Sequence, residues 1–102
     1  MPNYVKVANK PDISEGYGQC VEIQGKRIAL FRVDDEFHAI DDMCTHDDAP
    51  LSEGSIEGDE VVCPWHAATF NLKTGKCTGP PADADVTTYP VRVVGNDIEI
   101  EL

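Results

Sequence analysis

Two short stretches carry the residue types that could do chemistry: Cys44-Thr45-His46 and Cys63-Pro64-Trp65-His66. Each offers one soft thiolate and one imidazole, and sixteen residues separate His46 from Cys63. Two Cys and two His in two tight pairs form a metal-ligand constellation before they are anything else. A closed Cys2His2 zinc site that staples a small fold is the plainer occupant. Zinc ligand pairs usually have two to four residues between them, whereas a single residue separates Cys44 from His46, which is tight for one tetrahedral ion. A two-iron cluster relaxes this demand, because each loop then gives one ligand to each iron.

Positioning such loops falls to strands. Tyr4-Val5-Lys6-Val7 opens with alternation, then Pro11, Gly16 and Gly18 interrupt the chain. Two runs, Cys20–Ile23 and Arg27–Val33, flank Gln24-Gly25-Lys26 and predict a hairpin. Asp34-Asp35 turns into Glu36–Ile40, and Gly95-Asn96 joins Val91–Val94 to Asp97–Leu102, the clearest hairpin of the chain. Short strands with regular turn residues predict an all-β fold, an antiparallel sandwich or small barrel. Between Asp41 and Pro81 the texture changes to Gly, Pro, Ser and Asp, and one hairpin is plain there: Ser55–Glu57, Gly58-Asp59, Glu60–Val62. It lies between the two ligand pairs and returns the chain so that their loops can face each other. The expectation is a small metal-binding subdomain inserted into a β-sandwich base.

Bulk properties narrow the partners. The 102 residues suit one domain that buries about two-thirds of its unfolded surface. Nineteen acidic residues against eight Lys and Arg give a net charge of −11, which argues against nucleic acid or an anionic membrane as partner. It suits steering onto a basic patch of another protein. No apolar run approaches membrane-spanning length, and no basic region precedes an apolar one as in a signal peptide, so a cytoplasmic, unprocessed protein is expected. Four cysteines as two disulfides would require a secreted chain, so metal thiolates are the better account of at least two of them.

With these residues in place, Cys44-Thr45-His46, sixteen residues, then Cys63-Pro64-Trp65-His66 resembles the Rieske pattern C-x-H…C-x-x-H. The likeness extends to Leu51-Ser52-Glu53-Gly54 between the loops, to Gly75 after the second, and to Gly79-Pro80-Pro81 behind them. It implies the Rieske fold: a single domain over 1–102, with an antiparallel β-sandwich base (1–40 and 82–102) and a cluster-binding subdomain at about 41–81. It also implies one [2Fe–2S] cluster, with Cys44 and Cys63 on one iron and His46 and His66 on the other. Two ferric ions, two sulfides, two thiolates and two neutral imidazoles sum to zero charge, whereas four thiolates would give −2. Reducing a neutral cluster is easier, so His ligation raises the potential. The imidazole N–H groups further couple redox state to pH at the alkaline end. In the family the His edges lie at the domain tip, where the electron would leave.

Four positions separate the subtypes. Respiratory-chain Rieske proteins carry two further cysteines that bridge the loops; Ala49 and Trp65 stand there in this chain. They also place a Ser and a Tyr whose hydroxyls hydrogen-bond the cluster, and the matching residues are Ala68 and Phe70. Fewer donors to the sulfurs leave the reduced cluster less stabilised, and Asp47 and Asp48 add negative charge that opposes reduction further. The resemblance is therefore to the low-potential ferredoxins of bacterial ring-hydroxylating dioxygenase systems.

That resemblance implies a one-electron carrier between a flavin-containing, NAD(P)H-dependent reductase and a terminal Rieske oxygenase in aromatic hydrocarbon catabolism, with no catalytic residue of its own. An oxygenase would need a mononuclear iron held by two His and a carboxylate, and only His38 remains after the four ligands are assigned. A dinucleotide-binding reductase is excluded because Gly16-Tyr17-Gly18 lacks the third glycine and the flanking strand–turn–helix. The rivals are a small subunit of a nitrite-reductase-like complex and a zinc-stapled interaction module. Among the remaining conspicuous residues, His38 and Cys77 read as structural and Cys20 as a small buried hydrophobe. Trp65 reads equally as cluster shield, docking face or packing. Pro80 and Pro81 resemble the family's Pro-containing cover loop, whose fixed φ stiffens it.

Overall fold

A computed structural model describes residues 3–43, 49–65, 68–79 and 84–101. Alternating β-branched and aromatic residues between Gly- and Asp-rich turns give strands: β1 (Tyr4–Asn9), β2 (Gly18–Ile23), β3 (Lys26–Val33), β4 (Glu36–Asp41), β5 (Ser55–Glu57), β6 (Glu60–Val62), β7 (Thr69–Asn71), β8 (Cys77–Gly79), β9 (Thr88–Tyr89), β10 (Val91–Val94) and β11 (Asp97–Glu101). They form three antiparallel sheets, ordered β1-β11-β10, β2-β3-β4-β9 and β5-β6-β7-β8. The all-β antiparallel expectation holds.

The middle sheet packs on both of the others. Ile28, Leu30 and Ala39 meet Ile98 and Ile100 of β11 in one core, while Ala29, Phe31, Val33 and Ile40 meet Val61 and Phe70 in a second. This explains why β3 reads as a continuous apolar run rather than an alternation: it is buried on both faces. The second core also takes in Ala49, Leu51, Cys63 and Ala68, so the described ends of the two predicted ligand loops rest against β3 and β4.

Turn chemistry sets the registers. Gln24 and Gly25 both have positive φ, 52° and 78°, the pattern of a two-residue hairpin turn, and Lys26 belongs to β3, opposite Ile23, rather than to the turn as the sequence suggested. Asp34 and Asp35 also adopt positive φ, 52° and 63°, which is uncommon for residues with a Cβ. The Glu15 carboxylate accepts a hydrogen bond from each of their backbone N–H groups, both at 2.8 Å, and holds the turn in place.

The segment after Asp41 is more regular than its composition suggests. Beside the expected β5–β6 hairpin stand β7 and β8, with Val61 opposite Phe70 and Phe70 opposite Cys77. Strands of three residues are too short to show a period. Their connection is organised by the Asn71 side chain, whose Oδ1 accepts from the N–H groups of Lys73 and Thr74 at 2.8 and 3.1 Å, and by Gly75 at φ 76°.

Candidate metal centre

Both predicted ligand loops are flanked by backbone pairing. The first leaves β4 and returns through an antiparallel bridge between Met43 and Pro50. Its return is locked to Asp42: the Leu51 N–H donates to the Asp42 carbonyl at 2.6 Å and the Ser52 N–H to the Asp42 carboxylate at 2.8 Å. A short 3-10 turn over Leu51–Glu53 follows and ends at Gly54. A Cβ on Gly54 would strike the carbonyl of Val62, so only glycine lets the exit of the first loop lie against β6, one residue before Cys63.

The second loop joins β6 to β7. Val62 pairs with Thr69, and the Cys63 N–H donates to the Ala68 carbonyl at 2.7 Å. Cys63 is 2% exposed and shares its core with Ala49, Leu51, Ala68 and Phe70, whereas Trp65 is 51% exposed. Behind the loops, the Val86 N–H donates to the Gly75 carbonyl at 2.9 Å and the Cys77 N–H to the Asp85 carboxylate at 2.9 Å. These contacts bracket the segment that contains Pro80 and Pro81.

Cys44, His46, His66, Asp47, Asp48, Pro80 and Pro81 lie outside the described residues, so Cys63 is the one predicted ligand with a described setting. That setting fits an iron–sulfur cluster. A soft sulfur donor is held in an apolar pocket, the small side chains of Ala49 and Ala68 are packed into the same core, and the loop is pinned by main-chain bonds. The four positions compared with the respiratory proteins divide: Ala49, Ala68 and Phe70 are fully buried, while Trp65 is half exposed.

The other conspicuous residues fall away from this role. His38 lies on β4, mostly buried, 3.9 Å from the Glu36 carboxylate, and burial outweighs that neighbour to push its pKa down. It lines a small cleft with Phe37, Leu72, Lys73 and Tyr89. Cys77 packs against the second core. Cys20 corrects the sequence reading: it is only half-buried, on the β2 edge of the middle sheet opposite Ala29. Burial raises its thiol pKa, the adjacent Arg27 guanidinium lowers it, and the nearby Asp42 raises it.

Sequence reasoning missed Asp42, a carboxylate with 0% exposure beside the first loop. Strand parity could have found it, since Asp42 follows the buried Ile40 by two residues and continues the same face.

Residues 3–90 match the Rieske [2Fe-2S] domain. The ferredoxin component of the naphthalene 1,2-dioxygenase/salicylate 5-hydroxylase systems of a Ralstonia species is 42% identical over 91 residues, covering 89% of this chain and 88% of the relative. The 3-phenylpropionate/cinnamic acid dioxygenase ferredoxin subunit of Shigella boydii is 57% identical over 76 residues, covering 74% and 72%. Among solved structures, a chain in the complex of reduced oxygenase and oxidised ferredoxin of carbazole 1,9a-dioxygenase superposes with a TM-score of 0.90 at 32% identity, covering 99% and 94%. This chain belongs to the Rieske [2Fe-2S] domain family. Its cofactor is one Rieske-type [2Fe–2S] cluster, and its role is electron transfer, not catalysis.

Proposed function

We propose that this chain is the low-potential ferredoxin of a ring-hydroxylating dioxygenase system, taking single electrons from a flavin-containing, NAD(P)H-dependent reductase and delivering them to the terminal Rieske oxygenase. Cys44 and Cys63 hold one iron and His46 and His66 the other. The bound cluster supplies one reversible electron, and the chain's residues set its potential, restrict water and present it to each partner. The observation that carries this reading is the setting of Cys63: a 2% exposed thiol in a shell of Ala49, Ala68 and Phe70 that offers no side-chain hydroxyl.

Support for docking at the loops comes from two exposed apolar side chains. Met43, adjoining Cys44, and Trp65, adjoining His66, are 37% and 51% exposed. Exposed apolar side chains beside the loops, on a chain of net charge −11, suit brief contacts with partners, as a shuttle requires. Among the described residues no helix is long and apolar enough to cross a membrane, and the proposed site of action is the cytoplasm.

Anaerobic purification tests the reading. The protein should be red-brown, contain two irons and two acid-labile sulfides per chain, bleach on reduction and give a Rieske-type EPR signal. A colourless protein with stoichiometric zinc overturns it in favour of a zinc-stapled module. Return of the colour when a terminal oxygenase reoxidises the reduced protein separates the dioxygenase shuttle from a nitrite-reductase-like subunit, which the oxygenase would leave bleached.

A further inference from the structure

A fully buried carboxylate needs a reason, because an unpaired buried charge is costly. Asp42 has 0% exposure and uses four contacts. Its Oδ1 accepts from the Ser52 N–H at 2.8 Å, and its Oδ2 lies 3.4 Å from Nη2 of Arg27, whose side chain is half exposed. Its own N–H donates to the Arg27 carbonyl at 3.1 Å, and its carbonyl accepts from Leu51 at 2.6 Å. The Cys20 thiol also faces both Asp42 and Arg27. One residue thereby ties β3, the entry of the first ligand loop and its exit.

We propose that Asp42 is the positioning residue of this loop: with Arg27 it fixes the separation of the loop's two ends and so the placement of the ligands Cys44 and His46. The proposal rests on the ferredoxin reading for its redox consequence and on the clamp geometry for its mechanical one. Among the described residues the loop's own strand-type pairing is one Met43–Pro50 bridge, and the clamp adds the constraint that a longer ladder would give. Met43 separates Asp42 from Cys44, leaving little chain to absorb a shift of the anchor.

Hydrogen exchange and electrochemistry on the holoprotein test this together. In Asp42→Ala, the amides of Leu51 and Ser52 should exchange about tenfold faster, the effect of losing one buried hydrogen bond, while amides of β3 keep their rates. The midpoint potential and the EPR line shape should shift in the same variant and move back toward wild type in Asp42→Asn, whose Oδ1 can still accept from Ser52. Equal acceleration of loop and β3 amides would show a merely structural carboxylate and overturn the proposal. So would faster loop exchange with an unchanged potential and line shape. Should Asp42→Ala not fold, Arg27→Gln, altered at a half-exposed side chain, is read by the same criteria. A colourless wild-type protein would instead remove the ferredoxin reading, and exchange at Leu51 and Ser52 would still judge the clamp.

Discussion

Ala68 and Phe70 share a core with Cys63, and neither carries a hydroxyl. Ala68→Ser or Phe70→Tyr should raise the midpoint potential on the order of 50 mV, because a hydrogen bond favouring the reduced state by about 1 kcal/mol converts at 59 mV per tenfold for one electron. Voltammetry of both variants without any shift would count against the low-potential assignment. His38 offers a test of a different kind. Burial holds its folded pKa below 6.5, so below that pH the unfolded chain binds a proton that the folded chain refuses. Stability is therefore complete above pH 6.5 and declines as pH falls toward the folded pKa. The urea midpoint of wild type should drop across this window more steeply than that of His38→Gln. At this scale the candidate ligand types and the Ala49, Ala68 and Phe70 positions could be named from the sequence, since naming them depends on residue identity alone. Asp42 was signalled only by its strand parity with Ile40, and Glu15 by nothing, because an exposed carboxylate that braces a distant turn leaves no local pattern.

Among the elements, close approaches decide more than propensity. Gly54→Ala places a methyl group against the Val62 carbonyl and should force the first loop off β6. We expect a loss of about 1–3 kcal/mol, as for overpacking elsewhere, with faster cluster release followed by the decay of visible absorbance. The Asp34-Asp35 turn allows the opposite change. Asp34 is exposed, sits at φ 52°, and its contact with Glu15 is made through the backbone N–H. Asp34→Gly should keep that bond and relieve the left-handed conformation, raising stability by about 0.5–1 kcal/mol in thermal unfolding. The three hairpins marked by Gln24-Gly25, Gly58-Asp59 and Gly95-Asn96 were readable because their turns demand particular residues. Strands β7, β8 and β9 were not, because two or three residues carry no periodicity and their pairing is imposed from outside the segment.

For the whole molecule, a charge of −11 sets the rate of encounter more than the strength of the complex. Stopped-flow association with a basic partner should slow steeply between low and physiological ionic strength, while dissociation changes little. A salt-independent association rate would show that the acidic surface has no part in steering. The two cores carry a separate consequence. The residues that join the β1-β11-β10 sheet to the middle sheet (Ile28, Leu30, Ala39, Ile98 and Ile100) build a core separate from that of Ala49, Leu51, Cys63 and Ala68, which lies on the opposite face of β3. The order of biogenesis follows from this division. We expect the β2-β3-β4 meander, local in sequence, to assemble early, the terminal strands to cover it, and the predicted ligand loops to settle last. Newly made chains should thus wait for iron as folded acceptors rather than as unfolded ones, with protected amides in β3 before any colour develops.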